Sequence, residues 1–272
     1  MELPILGLIK IGVIFGLVMA IVPMLVYFER IISARIQNRY GPIMVGLPNL
    51  PILGPLKGFH LFGLMQPLAD MVKFMFKEDF IPAAADRPLF RLAPALVFVP
   101  AALGLAAIPF GPAVSFDWLG FSFSRLVIFD VEIGILFVLA VTSLGVHGMT
   151  IAGWASNNKY SQMGGVRASA QLISYEAPMF MAILAVLAMA GTTGFFGIVD
   201  YQHNTTWLCF MQPVAFVIFF VCMFAETNRA PFDMPEAEPE LVGGYHTEYG
   251  GMRFAIFFLG EYIAMFNQCA IL

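Results

Sequence analysis

Six carboxylates, Glu226, Asp233, Glu236, Glu238, Glu240 and Glu248, crowd one short stretch with only Arg229 and His246 against them. Crowded carboxylates raise one another's proton affinity and loss of water raises it further, so a few of them could hold and pass protons near neutral pH. A plainly solvated acidic loop has the same composition, because charge runs are usually wet. Glu132, Glu176, Glu226 and Glu261 fall in or at the edges of apolar runs. An ionisable group in lipid is costly unless it faces water or a partner, which makes each a candidate for a proton path. The alternative for any one of them is a neutral, hydrogen-bonded or Arg-paired structural group. His147 is either a switch or a packed, satisfied imidazole.

Other chemistries find little support. Cys209, Cys222 and Cys269 stand in apolar stretches without the short spacings that hold zinc or an iron–sulfur cluster, and read as buried thiols. There is no glycine-rich nucleotide motif in a strand–helix context, no recognisable metal set and no triad. The chain is therefore expected to carry no redox cofactor, and any redox role depends on a partner that brings the electrons. A net charge of −4 without a basic face argues against nucleic acid.

The elements that hold these groups are set by lipid. Of 272 residues 60% are hydrophobic and 12% charged, too little polar surface to cover a soluble globule. About 20 apolar residues cross a bilayer core of ~30 Å. Six segments fit, near 3–28, 92–110, 127–151, 168–190, 207–225 and 254–272. The first is too long for a signal-peptide core and lacks a positive region before it, so it reads as a retained span. The fold class expected is an all-α membrane protein. Segment 60–76 is amphipathic instead, with Leu61, Leu64, Leu68, Met71, Val72 and Met75 at helical spacing and Gln66, Asp70, Lys73 and Lys77 marking another face. It is expected to lie at the inner interface and roof a cavity between the spans. Residues 41–58, rich in Gly and Pro, read as an irregular loop.

Twelve of the fourteen basic residues, including Arg30, Arg35, Arg39, Lys57, Lys159, Arg167, Arg229 and Arg253, fall on the first, third and fifth connections, and only Lys10 and Arg125 lie elsewhere. The positive-inside rule then puts the N-terminus outside and the large loops 29–91 and 226–253 inside. No internal repeat stands out, which weighs against inverted-repeat transporters.

Several segments, taken in order, resemble one family. They are Glu29–Arg30 with Arg35, Gly63-Leu-Met-Gln-Pro-Leu-Ala-Asp70, Lys77-Glu-Asp-Phe-Ile-Pro82, Ala107-Ile-Pro-Phe-Gly-Pro112 and Gly153-Trp-Ala-Ser-Asn-Asn-Lys-Tyr160. Gly164-Gly-Val-Arg167, Gln171-Leu-Ile-Ser-Tyr-Glu176, Ala225-Glu-Thr-Asn-Arg-Ala-Pro-Phe-Asp233, Pro235-Glu-Ala-Glu238, Gly244-Tyr-His-Thr-Glu-Tyr249 and Gly260-Glu-Tyr262 follow. In this order the chain resembles, over nearly its whole length, the quinone-site membrane subunit of respiratory complex I, called subunit 1 in mitochondria and H in bacteria.

The resemblance implies a subunit of a proton-translocating NADH:quinone oxidoreductase, not catalytic alone, in an inner membrane of mitochondria or the plasma membrane of bacteria. Arg30, Arg35, Asp70, Gln66 and Phe232 would line or shape a quinone tunnel. Glu132, Glu176, Glu226, Asp233, Glu236, Glu238, Glu240, Glu248 and Glu261 would form the acidic path that couples quinone reduction to pumping. Ubiquinone or menaquinone would be the substrate, with FMN and iron–sulfur clusters on partner subunits. The implied partners are the hydrophilic cluster-bearing and quinone-site subunits, small neighbouring membrane subunits and membrane lipid.

Two departures from the family pattern stand out. Gly41-Pro-Ile-Met-Val-Gly46 is followed by an extra stretch near 47–59, which bears on the tunnel entrance. The family usually has eight spans, so the last two helices are expected from a separate polypeptide, or to be absent, or to lie beyond this sequence. Two other functions compete: the homologous membrane anchor of an energy-converting hydrogenase, and a free-standing proton transporter using the same carboxylates.

Overall fold

The computed structural model describes residues 4–42, 63–112, 114–116, 121–123 and 126–272. The extra stretch 47–59, most of the loop 41–58, the start of the segment 60–76, Lys57 and Arg125 lie outside the described residues, as does the side chain of Glu238.

Helix α1, Pro4–Ile36, runs 33 residues, about 50 Å at 1.5 Å per residue. It overshoots the expected span because Glu29, Arg30, Ala34 and Arg35 are good helix formers and nothing breaks the helix before Asn38, which has φ 56°. Its last two turns lift Glu29 and Arg30 beyond the apolar stretch. Helix α2, Gln66–Phe76, starts with Pro67 in its first turn and buries no residue fully, as expected of a helix lying on a surface.

Helix α3, Arg87–Gly104, starts and stops some residues earlier than expected, with Pro88 in its first turn and Pro109 a few residues beyond its end. A small antiparallel hairpin, β1 Val114–Phe116 with β2 Phe121–Phe123, pairs Ser115 with Ser122. Otherwise the described residues are helix, turn or irregular. Helix α4, Gly134–Ala155, leaves Glu132 in the turn before it. Helix α5, Lys159–Ala190, is capped by Asn158, whose side chain accepts from the Tyr160 backbone N–H at 2.9 Å, and closes on Gly191 in the left-handed conformation.

The expected fifth span is broken. After α6, Phe195–Asn204, come α7, Leu208–Met211, and α8, Pro213–Glu226. Pro213 has no N–H and pushes Gln212 out of helical geometry, to φ −130° and ψ 64°. Helix α9, Glu238–Leu241, and a single 3-10 turn, Gly244–His246, lead into α10, Gly251–Ile271. Among the described residues five helices, α1, α3, α4, α5 and α10, are long and apolar enough to cross a membrane, while α8 is apolar but only 14 residues long.

Among the described residues three apolar clusters hold the bundle. One joins α3, α4, α5 and the 3-10 turn through Phe90, Met149, Leu172 and Tyr245. A second packs α5 on α8 through Met179, Ile183 and Phe219. The third packs α1 on α3 and α10 through Val18, Ala101 and Ile263. Many apolar side chains on α1, α5 and α8 remain exposed, among them Leu8, Met181 and Val214, as suits helices facing lipid.

Candidate functional site

The site is built where α1, α2 and α10 fail to close on one another. They leave a cavity of about 500 Å³ walled by apolar side chains such as Val22, Met71, Phe74 and Phe258, with Glu29, Arg30, Asp70 and Tyr262 as its polar groups. A largely apolar concavity with a few fixed polar groups is the usual form of a small-molecule site. Asp70 is held from two sides. Arg30 Nη1 stands 2.6 Å from its Oδ2, and Gln66 Nε2 donates to its Oδ1 at 2.9 Å. Arg30 is half exposed, so the pair adds little stability, and its effect is to fix where a charge and a carboxylate point.

The cavity's far wall opens into a polar layer. Tyr262 Oη donates to Glu29 Oε2 at 2.5 Å, and Arg229 Nη1 lies 3.0 Å from Glu29 Oε1. The Arg229 guanidinium also sits 4.6 Å from the centre of the Tyr262 ring. Burial would by itself depress the Arg229 guanidinium, but Tyr262, Glu261 and Glu29 around it prevail and hold it above its ordinary range, so it stays cationic.

Behind Arg229 lies Glu261, 6% exposed. Tyr245 Oη is 3.2 Å from Glu261 Oε1 and 3.1 Å from Glu236 Oε1, and His246 Nδ1 is 3.6 Å from that same Glu236 oxygen. Glu261 also faces Glu226, Thr227, Asn228 and Thr142 across a cavity of about 40 Å³. That space is the size of roughly one to three waters, and its mostly apolar wall carries these few polar groups. Glu176 is on the α5 side of Glu226, and Ser143 Oγ donates to Glu176 Oε1. Gln171 braces the layer from α5, donating to the backbone oxygens of Ala225 at 2.9 Å and Phe232 at 2.8 Å.

Of the residues expected from sequence, Arg30 and Asp70 line the cavity, and Gln66 bonds to Asp70 without lining it. Glu176, Glu226 and Glu236, each half-buried, share the layer with the buried Glu261. Glu248, half-buried, accepts from Asn158 Nδ2 at 2.5 Å at the foot of α5. The others are elsewhere. Arg35 is exposed on the last turn of α1, away from the cavity lining. Phe232 packs edge-on against Tyr175 at 5.2 Å, also off the cavity. Glu132 is exposed, with its backbone oxygen accepting from Thr193, and Glu240, 62% exposed, pairs with Arg167 at 2.6 Å. Asp233 is exposed, and His147 faces outward from α4.

A model of the family described as NADH dehydrogenase matches residues 9–272, nearly the whole chain. The chain belongs to the NADH dehydrogenase family. Among relatives in that family, an NADH-quinone oxidoreductase subunit of type H from Solibacter usitatus is 44% identical over 98% of this chain and 64% of its own length. The type H protein of Protochlamydia amoebophila is 47% identical over 90% of this chain and 70% of its own. One from Cytophaga hutchinsonii is 42% identical over 100% of this chain and 76% of its own. The chain thus spans under two thirds of the first relative and about three quarters of the last, and its family places it among the subunits of an oxidoreductase complex.

Sequence reasoning passed over several members of this candidate site. Glu29, Tyr245, Tyr262, Gln171 and Asn228 all bond within the layer, as does Arg229, which the sequence marked only as a charge beside the acidic stretch. All lie inside segments that carried the family resemblance, and that was the signal that could have found them. Tyrosines in an apolar run look like core until their hydroxyls are seen to need a partner.

Proposed function

We propose that this chain is the membrane subunit of a proton-translocating NADH:quinone oxidoreductase, in which the cavity between α1, α2 and α10 receives a quinone and the carboxylate layer begins the proton path. The observation that carries this reading is Tyr262, which lines the cavity and bonds to Glu29 of the polar layer. A charge change in the cavity is therefore felt, through Glu29 and Arg229, at the buried Glu261. The cavity suits the substrate: apolar walls for an isoprenoid tail and the Arg30–Asp70 pair for a polar head.

Segments 29–91 and 226–253 face the inner side in this reading, together with most of the basic residues. Their joint docking by Arg229 with Glu29 and by Arg253 with Asp79, 2.9 Å apart, supports one common face. That face would meet the cluster-bearing and quinone-site subunits, which bring the electrons, while small membrane subunits and lipid surround the helices. The membrane is an energy-conserving inner membrane.

The test is to extract the tagged chain gently from native membranes, assay the material for inhibitor-sensitive NADH:quinone reduction, and identify its companions. Activity together with cluster-bearing subunits is the expected result. Recovery alone with proton conduction in liposomes would favour a transporter, and recovery with nickel–iron hydrogenase subunits an anchor; either would overturn the reading.

A further inference from the structure

Tyr245 is 1% exposed, its ring flanked edge-on by Phe257 at 5.5 Å and His246 at 4.9 Å. Its backbone oxygen accepts from Ser161 Oγ at 2.8 Å, so ring and backbone are both fixed. Only the hydroxyl is left to choose, and it faces two carboxylates at nearly equal distance, 3.1 Å from Glu236 and 3.2 Å from Glu261. A phenol has one proton and can donate it to one of them at a time. Two carboxylates held on one hydroxyl inside the protein share a proton rather than ionise together.

We propose that Tyr245 is a positioning residue for a proton shared between Glu236 and Glu261, its hydroxyl turning to donate to whichever of the two is ionised. This rests on the reading of the carboxylate layer as a proton path. With the shared proton on Glu236, the Tyr245 hydroxyl donates to the Glu261 carboxylate; when the proton crosses to Glu261, the hydroxyl swings to Glu236. The three groups hold two protons throughout, and no co-reactant is needed. Tyrosine itself stays neutral, because burial first, and then the charges of Glu261 and Glu236, keep its hydroxyl well above the usual range.

Each of the two positions has its own charged or titratable neighbours. Arg229 and Glu226 face Glu261, and His246 faces Glu236. Glu261 is 6% exposed while the Glu236 side chain is 20% exposed. Without the hydroxyl the negative charge settles on the wetter Glu236, and exchange between the two stops.

The experiment uses the assembled complex in liposomes, carrying Tyr245→Phe, Glu236→Gln or Glu261→Gln, with pumping rate and infrared carboxyl C=O difference spectra read on quinone reduction. Tyr245→Phe is expected to pump about tenfold more slowly, the loss of one hydrogen bond to a charged group. It is also expected to shift the protonated-carboxyl band that Glu236→Gln or Glu261→Gln abolishes. Should the Phe variant not assemble, 3-fluorotyrosine at position 245, which keeps the hydroxyl and makes it a stronger donor, must move the same band. If the two Gln variants pump poorly while the Tyr245 variants pump and absorb as the parent does, the role of Tyr245 is overturned and the proton path stands. Normal pumping by both Gln variants would remove the path, and the inference with it.

Discussion

Gly164 of α5 has no room for a methyl group, because a Cβ there would stand 2.5 Å from the backbone nitrogen of Tyr245. The 3-10 turn that carries Tyr245 and His246 is pressed directly onto α5, backbone against backbone. Gly164→Ala must lift the turn, since a backbone atom cannot swing aside as a side chain can. We expect it to cost about 1–3 kcal/mol, as overpacking does, and to lower the amount of assembled complex on native gels. Gly145→Ala, in the middle of α4 where nothing lies within 4 Å, is expected instead to stabilise by about 0.5–1 kcal/mol through helix propensity.

Asp70→Asn keeps the side chain's shape and an oxygen for Gln66 but removes the charge opposite Arg30. We expect assembly to be normal and the KM for quinone to rise roughly three- to tenfold, a charged hydrogen bond discounted for its exposure. Steady-state quinone titration checks this. A change in kcat alone, with KM unmoved, would place Asp70 outside substrate binding.

Glu226→Gln removes a titratable group from the small cavity beside Glu261 while preserving its size. Proton pumping per quinol formed is expected to fall at least about tenfold, in the range of a lost acid–base group. Assembly should stay near normal. Unchanged pumping at normal assembly would take Glu226 off the path.

Glu29→Gln and Tyr262→Phe act on one contact, so their effects on coupling should not add. A double-mutant cycle on the pumping ratio is expected to give an interaction of about 0.5–3 kcal/mol, whereas additive losses would mean that cavity and layer are joined some other way.

Much of this was legible in the sequence because lipid imposes simple rules. About twenty apolar residues cross a bilayer, and the loops 29–91 and 226–253 were visible as charged interruptions. Glu176, Glu226 and Glu261 stood out since a carboxylate in an apolar run needs a reason. What could not be read was pairing. Arg229 meets Glu29 across 200 residues, and nothing local in either says so. Arg35 and Arg30 look alike on paper, yet five residues on a helix turn through about 500°, which leaves Arg30 on the cavity and Arg35 in the open. The break at Gln212–Pro213 was legible in principle, because proline forbids the helical bond, but the apolar run on both sides masked it.

The bond between Glu29 and Tyr262 closes a separation of 233 residues. At a synthesis rate of about 5–20 residues per second, α10 leaves the ribosome roughly 10–50 seconds after the end of α1. Throughout that interval α1 waits in the bilayer with one wall of its cavity missing and Glu29 lacking both Tyr262 and Arg229. Capture of any occupant is thereby postponed until α10 has been threaded, which gives the biogenesis of the site a fixed order: helices first, ligand afterwards.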